Sequence, residues 1–152
     1  MSVDKPENSD EPNIIIREGK FSRSELTGCA FLSVAELPDI AAIGSLFVDL
    51  ASDESAEDLV PYFNAITLIR VAFPTIADGR GFSLAQRLRS LGYRGTLRAY
   101  GALISDQYPM ALRTGFDELE ISAELAKRQP EQQWRDRLPK SDTYRKRLGL
   151  VG

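Results

Sequence analysis

The sequence predicts an α/β fold, built as a single domain with a mainly parallel four-strand core of β-α units, short N-terminal strands and a helical basic tail. Three observations carry this expectation. Strand-like runs SLFVDL, LIRVAF, TLRAY and ELEI alternate with helix-like segments from Ser45 onward. Leu46, Leu68, Leu97 and Leu119 open the apolar parts of these runs at spacings of 22, 29 and 22 residues, the length that a strand, a crossover helix and two loops require. A chain of 152 residues also suffices for one real core, burying roughly 68–70% of its unfolded surface without disulfides or metals.

Each element has its own signal. Residues 1–13 read as a polar, acidic, disordered lead-in. Ile14 to Ile16 and Phe31 to Leu32 predict two small strands, separated by a turn-rich stretch around Glu18, Gly19 and Lys20. Pro38 and Gly44 bracket a connection with room for a brief helix. Helices are then expected at Ser55 to Phe63, Ser83 to Leu91, Asp106 to Arg113 and Ser122 to Arg128. Ser83 and Gln86 have the spacing of a capping box, a device worth about 0.5–2 kcal/mol. Leu84, Leu88 and Leu91 follow as one apolar stripe, and Gly92 suits a left-handed helix stop. Gly115 fills that role one unit later, where Pro109 is tolerated because it falls in the first turn. Past Pro130, EQQWRDRL predicts another short amphipathic helix. The α/β domain therefore spans 14–126 and the basic tail 127–152.

The four strands carry an irregularity. Parallel strands covered on both faces read as nearly continuous apolar runs, yet each of these holds a charge: Asp49, Arg70, Arg98 and Glu120. If the four share a face, that face is not wholly buried under helices. The sheet is then open or half-barrel-like with a polar concave side, or its face is closed by the N-terminal segment or by a second subunit in a homodimer. Such a row has two uses. It grips an anionic or zwitterionic ligand and tunes a carboxylate, or it is an ion-pair network tying neighbouring strands.

Composition narrows the chemistry. With no histidine and one cysteine, Cys29, the chain by itself excludes Ser-His-Asp and Cys-His hydrolysis, histidine-bound zinc, a proximal-histidine haem and a four-cysteine iron-sulfur cluster. No metal and no cofactor is expected, and Cys29 in GCAFL reads as a small buried residue. No apolar run approaches the roughly 18 residues of a membrane span, and the N-terminus lacks the pattern of a secretory signal, so a cytoplasmic protein without a membrane partner is expected. The net charge of −3 is unevenly placed: residues 1–60 carry 13 acids against 4 bases, and residues 127–152 carry 3 against 8. A basic tail behind an acidic first segment implies internal pairing or a docking surface. With few interleaved aromatics it does not read as a nucleic-acid site. Trp134 beside Arg135 and Arg137 is either a docking anchor for a partner or an intramolecular clasp over the acidic half.

Ligands of parallel α/β folds bind beyond the strand carboxyl ends. Asp78, Gly79, Arg80, Gly81 and Ser83 fall there after the second core strand, and Asp106 and Gln107 after the third. Helix N–H groups and Arg80 have the chemistry to hold a carboxylate, phosphate or sulfur oxyanion. The GxG here lacks the third glycine of a dinucleotide fingerprint and the lysine of a phosphate loop. Against the anion site stands a plain alternative: Asp78 and Gly79 as a turn, Ser83 as a cap, Arg80 in solvent. The two readings separate on whether Arg80 faces the Asp106 loop.

DGRGFS at Asp78 to Ser83, the LR of Leu88 and Arg89, GTLRAYG at Gly95 to Gly101, DQ at Asp106 and Gln107, and GFD at Gly115 to Asp117 together carry a resemblance. In order and spacing they resemble a bacterial domain-of-unknown-function family whose genes usually sit beside those for assimilatory sulfite reductase. The resemblance covers about the central third of the chain. Many members of that family place a cysteine just before GFD, where this chain has Thr114, so a thiol there is not essential to a shared role. It implies sulfur assimilation as the context and Asp78, Arg80, Ser83, Asp106 and Gln107 as site candidates. Six-electron reduction of sulfite relies on haem-type and iron-sulfur centres whose ligands this chain lacks. The expectation is therefore an accessory protein that binds sulfite reductase, another sulfur-assimilation protein, or a small anion at the strand carboxyl ends. The alternatives are a small enzyme acting on an anionic or nucleotide-like substrate and a structural assembly module.

Overall fold

Seven strands form one mixed sheet in the structure of the chain, a computed structural model that describes residues 11–24, 31–39 and 45–139. They are β1 (Ile14–Arg17), β2 (Lys20–Arg23), β3 (Leu32–Ser33), β4 (Leu46–Leu50), β5 (Ile66–Phe73), β6 (Thr96–Gly101) and β7 (Glu118–Ile121). Their spatial order is β2-β1-β7-β6-β5-β4-β3. Pairing is parallel from β3 through β7, and β1 turns antiparallel to both β7 and β2. The sheet is thus mostly parallel at its centre but wider than four strands. The strand Lys20–Arg23 is not legible in sequence because it is a short edge strand in which Phe21 is the only apolar residue, too little for an alternating pattern. Its hairpin closes on Glu18 (φ 54°) and Gly19 (φ 76°), the left-handed pair that a two-residue β-turn needs.

Four α-helices accompany the sheet: α1 (Arg80–Ser90), α2 (Tyr108–Thr114), α3 (Ala123–Arg128) and α4 (Glu131–Asp136). The crossover from β4 to β5 is instead a 3₁₀ helix over Ala56–Ala65, capped by Ser55 Oγ accepting from Glu57 N–H at 3.3 Å. Pro61 within it removes a backbone donor and clashes with an α-helical turn, which favours the tighter form. Gly92 (φ 105°) and Gly115 (φ 120°) stop α1 and α2 in the expected left-handed conformation.

Strands β3 to β7 succeed one another across the sheet in one direction, so crossovers of a single hand place their helices on one face. Val48, Ile69, Val71, Leu97, Ala99 and Leu119 point to that face and are fully buried. Phe73 packs there against Phe82 of α1 and against Phe116 beyond α2, at ring distances of 4.9 and 5.8 Å. The alternating positions carry the charges to the opposite face.

Helix α4 closes on the body. Trp134 of α4 is fully buried, 5.7 Å from the Tyr108 ring, and its Nε1 donates to Gln129 O at 2.9 Å. Glu131 accepts from Phe21 N–H at 2.9 Å, and Tyr108 Oη accepts from Gly19 N–H at 3.0 Å. Trp134 is therefore an intramolecular clasp, seated by the β1–β2 hairpin. Cys29, Gly44 and residues 140–152 lie outside the described residues. Among the described residues no helix is long and apolar enough to cross a membrane.

Candidate functional site

At the carboxyl ends of the strands, helix α1 begins three residues before Ser83. Ser83 is exposed inside the helix and caps nothing, so the expected capping box is absent. Asp78 takes the role instead. Its Oδ1 accepts from Arg80 N–H at 3.1 Å, placing a carboxylate at the positive end of α1. The Arg80 side chain folds back on the same carboxylate, Nε to Oδ1 at 3.0 Å and Nη2 to Oδ2 at 2.7 Å. Arg80's side chain and backbone together hold the Asp78 carboxyl well below the usual carboxylate range. Gly81 counts against a helix by propensity, but its Cα lies on the buried Phe73 ring, where any Cβ would overlap the ring. Packing explains that glycine without a ligand.

The second loop does not face the first through Arg80. Asp106 pairs with Arg137 at the end of α4. Gln107 makes the connection between loops: its Oε1 accepts from Ile104 N–H at 2.9 Å and its Nε2 donates to Ile76 O at 3.0 Å. Of the seven loop candidates, Gln107 alone ties the two loops to each other. Ile76 and Met110, exposed by 48% and 43%, flank it on the rim. Nearby, a cleft of about 350 Å³ opens between the ends of β5 and β6, lined by Asn13, Tyr100, Gly101, Ser122 and Leu125 among others, and by none of the seven. Gly101 (φ 127°) opens this cleft because a Cβ there would strike Phe73 O.

Asp49, Arg70, Arg98 and Glu120 do share one face. Arg70 binds Asp49 through Nε and Nη2 at 2.7 and 3.0 Å and reaches Glu120 at 3.2 Å. Arg98 binds Glu118 at 2.7 Å and Glu120 at 2.9 Å. Arg17 closes on Glu118 at 2.9 Å, and Asn13 Nδ2 donates to Glu120 at 2.8 Å. The Arg70 guanidinium lies between the rings of Phe31 and Tyr100, 3.8 and 4.0 Å from their centroids. Burial alone would lower its pKa, but the paired Asp49 and Glu120 more than offset this and raise it. Every carboxylate of the row is matched by arginine, so the row is an ion-pair network. Sequence reasoning missed Glu118, Tyr100, Phe31, Arg17 and Asn13. Period-two alternation was the available signal for the first two, since it puts Glu118 beside Glu120 and Tyr100 beside Arg98.

A third cluster lies at the strand amino ends. Arg89 donates to the carbonyls of Tyr93 (3.0 Å), Gly95 (2.9 Å) and Gly115 (2.9 Å) and to Asp117 Oδ2 at 2.8 Å. Asp117 in turn accepts from Leu97 N–H at 3.0 Å. The LR, GTLRAYG and GFD stretches are thus one knot in space. Thr114, within it, is buried and donates to Ala111 O at 3.1 Å. Among the described residues no group of three or more histidine, cysteine, aspartate or glutamate side chains is placed to hold a metal.

The family model of a bacterial protein of unknown function, DUF934, matches residues 47–147, from the start of β4 past the end of α4. The chain belongs to DUF934. No curated protein and no solved structure matches it. The DUF934 span holds the Asp49–Arg70–Glu120–Arg98–Glu118 network, the Arg89 knot and the Gln107 bridge. Asn13, Arg17 and Phe31, which complete the charged face of this DUF934 chain, lie outside the span.

Proposed function

We propose that this chain is an accessory protein of assimilatory sulfite reduction that docks on a reductase partner through the rim at the strand carboxyl ends. What supports docking over small-anion binding there is one observation: the position an anion would take, at the start of α1 beside Arg80, is filled by the Asp78 carboxylate. An incoming anion would have to break three hydrogen bonds and expose a carboxylate to do the same work. On the same rim Ile76 and Met110 stand exposed around Gln107, which braces two loops against each other, and rigid apolar residues in a polar rim are what a protein partner buries. The sulfur context of the proposal rests on the resemblance carried by DGRGFS, GTLRAYG and GFD; the DUF934 match itself names no function.

The test is binding of the purified full chain to assimilatory sulfite reductase by sedimentation velocity and calorimetry. A defined complex that the double variant Ile76→Glu, Met110→Glu weakens about tenfold or more is the expected outcome. A deletion strain should grow on sulfide and fail on sulfate and sulfite. Growth on all three, or no complex at micromolar concentrations, would sink the reading.

A further inference from the structure

A cleft of about 960 Å³ opens at the amino ends of β5 and β6, at the opposite strand ends from the docking rim, with helix α2 running between the two from Met110 on the rim to Arg113 in the cleft. Its volume lies within the roughly 300–1,000 Å³ of ordinary ligand pockets. The Arg89 knot is its floor, and Arg17, Arg94, Arg113, Gln86 and Thr67 stand around it.

This cleft brings together two exposed arginines that close on no carboxylate among the described residues, whereas Arg23, which likewise has none there, lines a different cleft. Most exposed arginines close on a carboxylate: Arg80 on Asp78, Arg87 on Glu57, Arg128 on Glu124, Arg137 on Asp106, and Arg17, in this cleft, on Glu118. Arg94 and Arg113 have no carboxylate partner among the described residues, and Arg113 reaches only the Met110 sulfur, at 4.0 Å. Two guanidinium groups that meet no carboxylate among the described residues thus share one cleft in a chain whose net charge is −3. The floor, moreover, is stripped of groups that repel an anion. The Tyr93, Gly95 and Gly115 carbonyls are consumed by Arg89, and Asp117 is neutralised by Arg89 and the Leu97 N–H. Burial pushes the Tyr93 phenol up, so this residue of the lining stays uncharged.

We infer that this cleft binds a small polyanion of the phosphate class, with one oxyanion group on Arg94 and a second on Arg113. Guanidinium presents paired donors that match a phosphate edge, and Gln86 and Thr67 add neutral donors to the lining. The ordinary use of such residues is different: Arg113 sits in the last turn of α2, where a cation offsets the helix dipole.

Calorimetric titration of the full chain with inorganic pyrophosphate, at about 0.15 M ionic strength to suppress diffuse attraction, separates the two. Saturable one-site binding is expected, with inorganic phosphate weaker because it engages one arginine at a time. The double variant Arg94→Ala, Arg113→Ala should raise the Kd by about tenfold or more, whereas Arg128→Ala, which removes a charge elsewhere, should leave it unchanged. Circular dichroism and Tm establish that each variant is folded. The inference is overturned if no saturable binding occurs, if phosphate binds as tightly as pyrophosphate, or if Arg128→Ala weakens binding equally. A double variant that loses Tm and keeps its pyrophosphate affinity also overturns it, leaving dipole compensation as the role of these arginines.

Discussion

Arg70 on β5 holds Asp49 of β4 in a two-point ion pair at 2.7 and 3.0 Å and, with the same guanidinium, reaches past β6 to Glu120 of β7 at 3.2 Å. One side chain thereby crosses three strand boundaries' worth of sheet, stacked between Phe31 and Tyr100 so that it has no freedom to swing out. The charged face of the sheet is fastened by ion pairs where its other face is fastened by apolar packing.

Arg98 is the most buried cation of that network, with 8% of its side chain exposed, against 9% for Glu118 and 4% for Glu120. Removing it leaves Glu118 with Arg17 alone and Glu120 with Arg70 and Asn13, and leaves the row with an excess of negative charge out of water. Arg98→Ala should lower the unfolding free energy by about 3–5 kcal/mol in urea denaturation, a large part of the roughly 5–15 kcal/mol a domain has. A loss below about 1 kcal/mol would mean that water already screens the row.

Two neighbouring glycines should respond oppositely. A Cβ on Gly81 overlaps the Phe73 ring, so Gly81→Ala should destabilise by about 1–3 kcal/mol through overpacking despite alanine's better helix propensity. Gly79 has φ −89° and only Phe82 Cδ2 near such a Cβ, at 4.0 Å, so Gly79→Ala should be tolerated. Equal effects of the two substitutions on chemical denaturation would contradict this assignment.

Asp78 gives an acid-side signature. Its pKa in the folded chain is depressed below the ordinary 3.8, so at low pH the unfolded state binds the extra proton and stability falls as pH falls. The Asp78 contribution is complete above about pH 5 and is lost as pH drops through the unfolded value toward the folded one. Denaturation midpoints of the chain and of Asp78→Asn, measured from pH 7 to pH 2, should keep a constant gap above about pH 5 and converge below pH 4. A gap that widens on acidification would refute the pairing with Arg80.

Arg89 should resist even a conservative exchange. Its fork serves three carbonyls and Asp117, which a single ammonium cannot reach together. Arg89→Ala, and to a lesser degree Arg89→Lys, should cost about 1–3 kcal/mol. Amide exchange should accelerate at residues 93–97 and 115–117 before it does in β5. Unchanged protection there would remove Arg89 from its place as the tie between these loops.

By itself the sequence determined the alternation of strand and helix, because spacings of 22 to 29 residues and period-two apolar runs are local consequences of chain geometry. It also determined the glycine stops at Gly92 and Gly115, where only a left-handed backbone ends the helix. The four strand charges were legible as an anomaly, since charge in a parallel strand contradicts burial on both faces. Other features came from partners distant in sequence. Helix α1 starts at Arg80 because Phe73 accepts Gly81 and Asp78 caps the turn, which outweighs the propensity that pointed to Ser83. Asp106 turns to Arg137 and away from Arg80. Arg89 finds Asp117 28 residues on, and Arg94 and Arg113 come to one cleft from two different crossovers. Side-chain charge and helix periodicity are written residue by residue, but which charges meet, and which are left without a partner, is decided only when the strands align and bring their loops to the same edge.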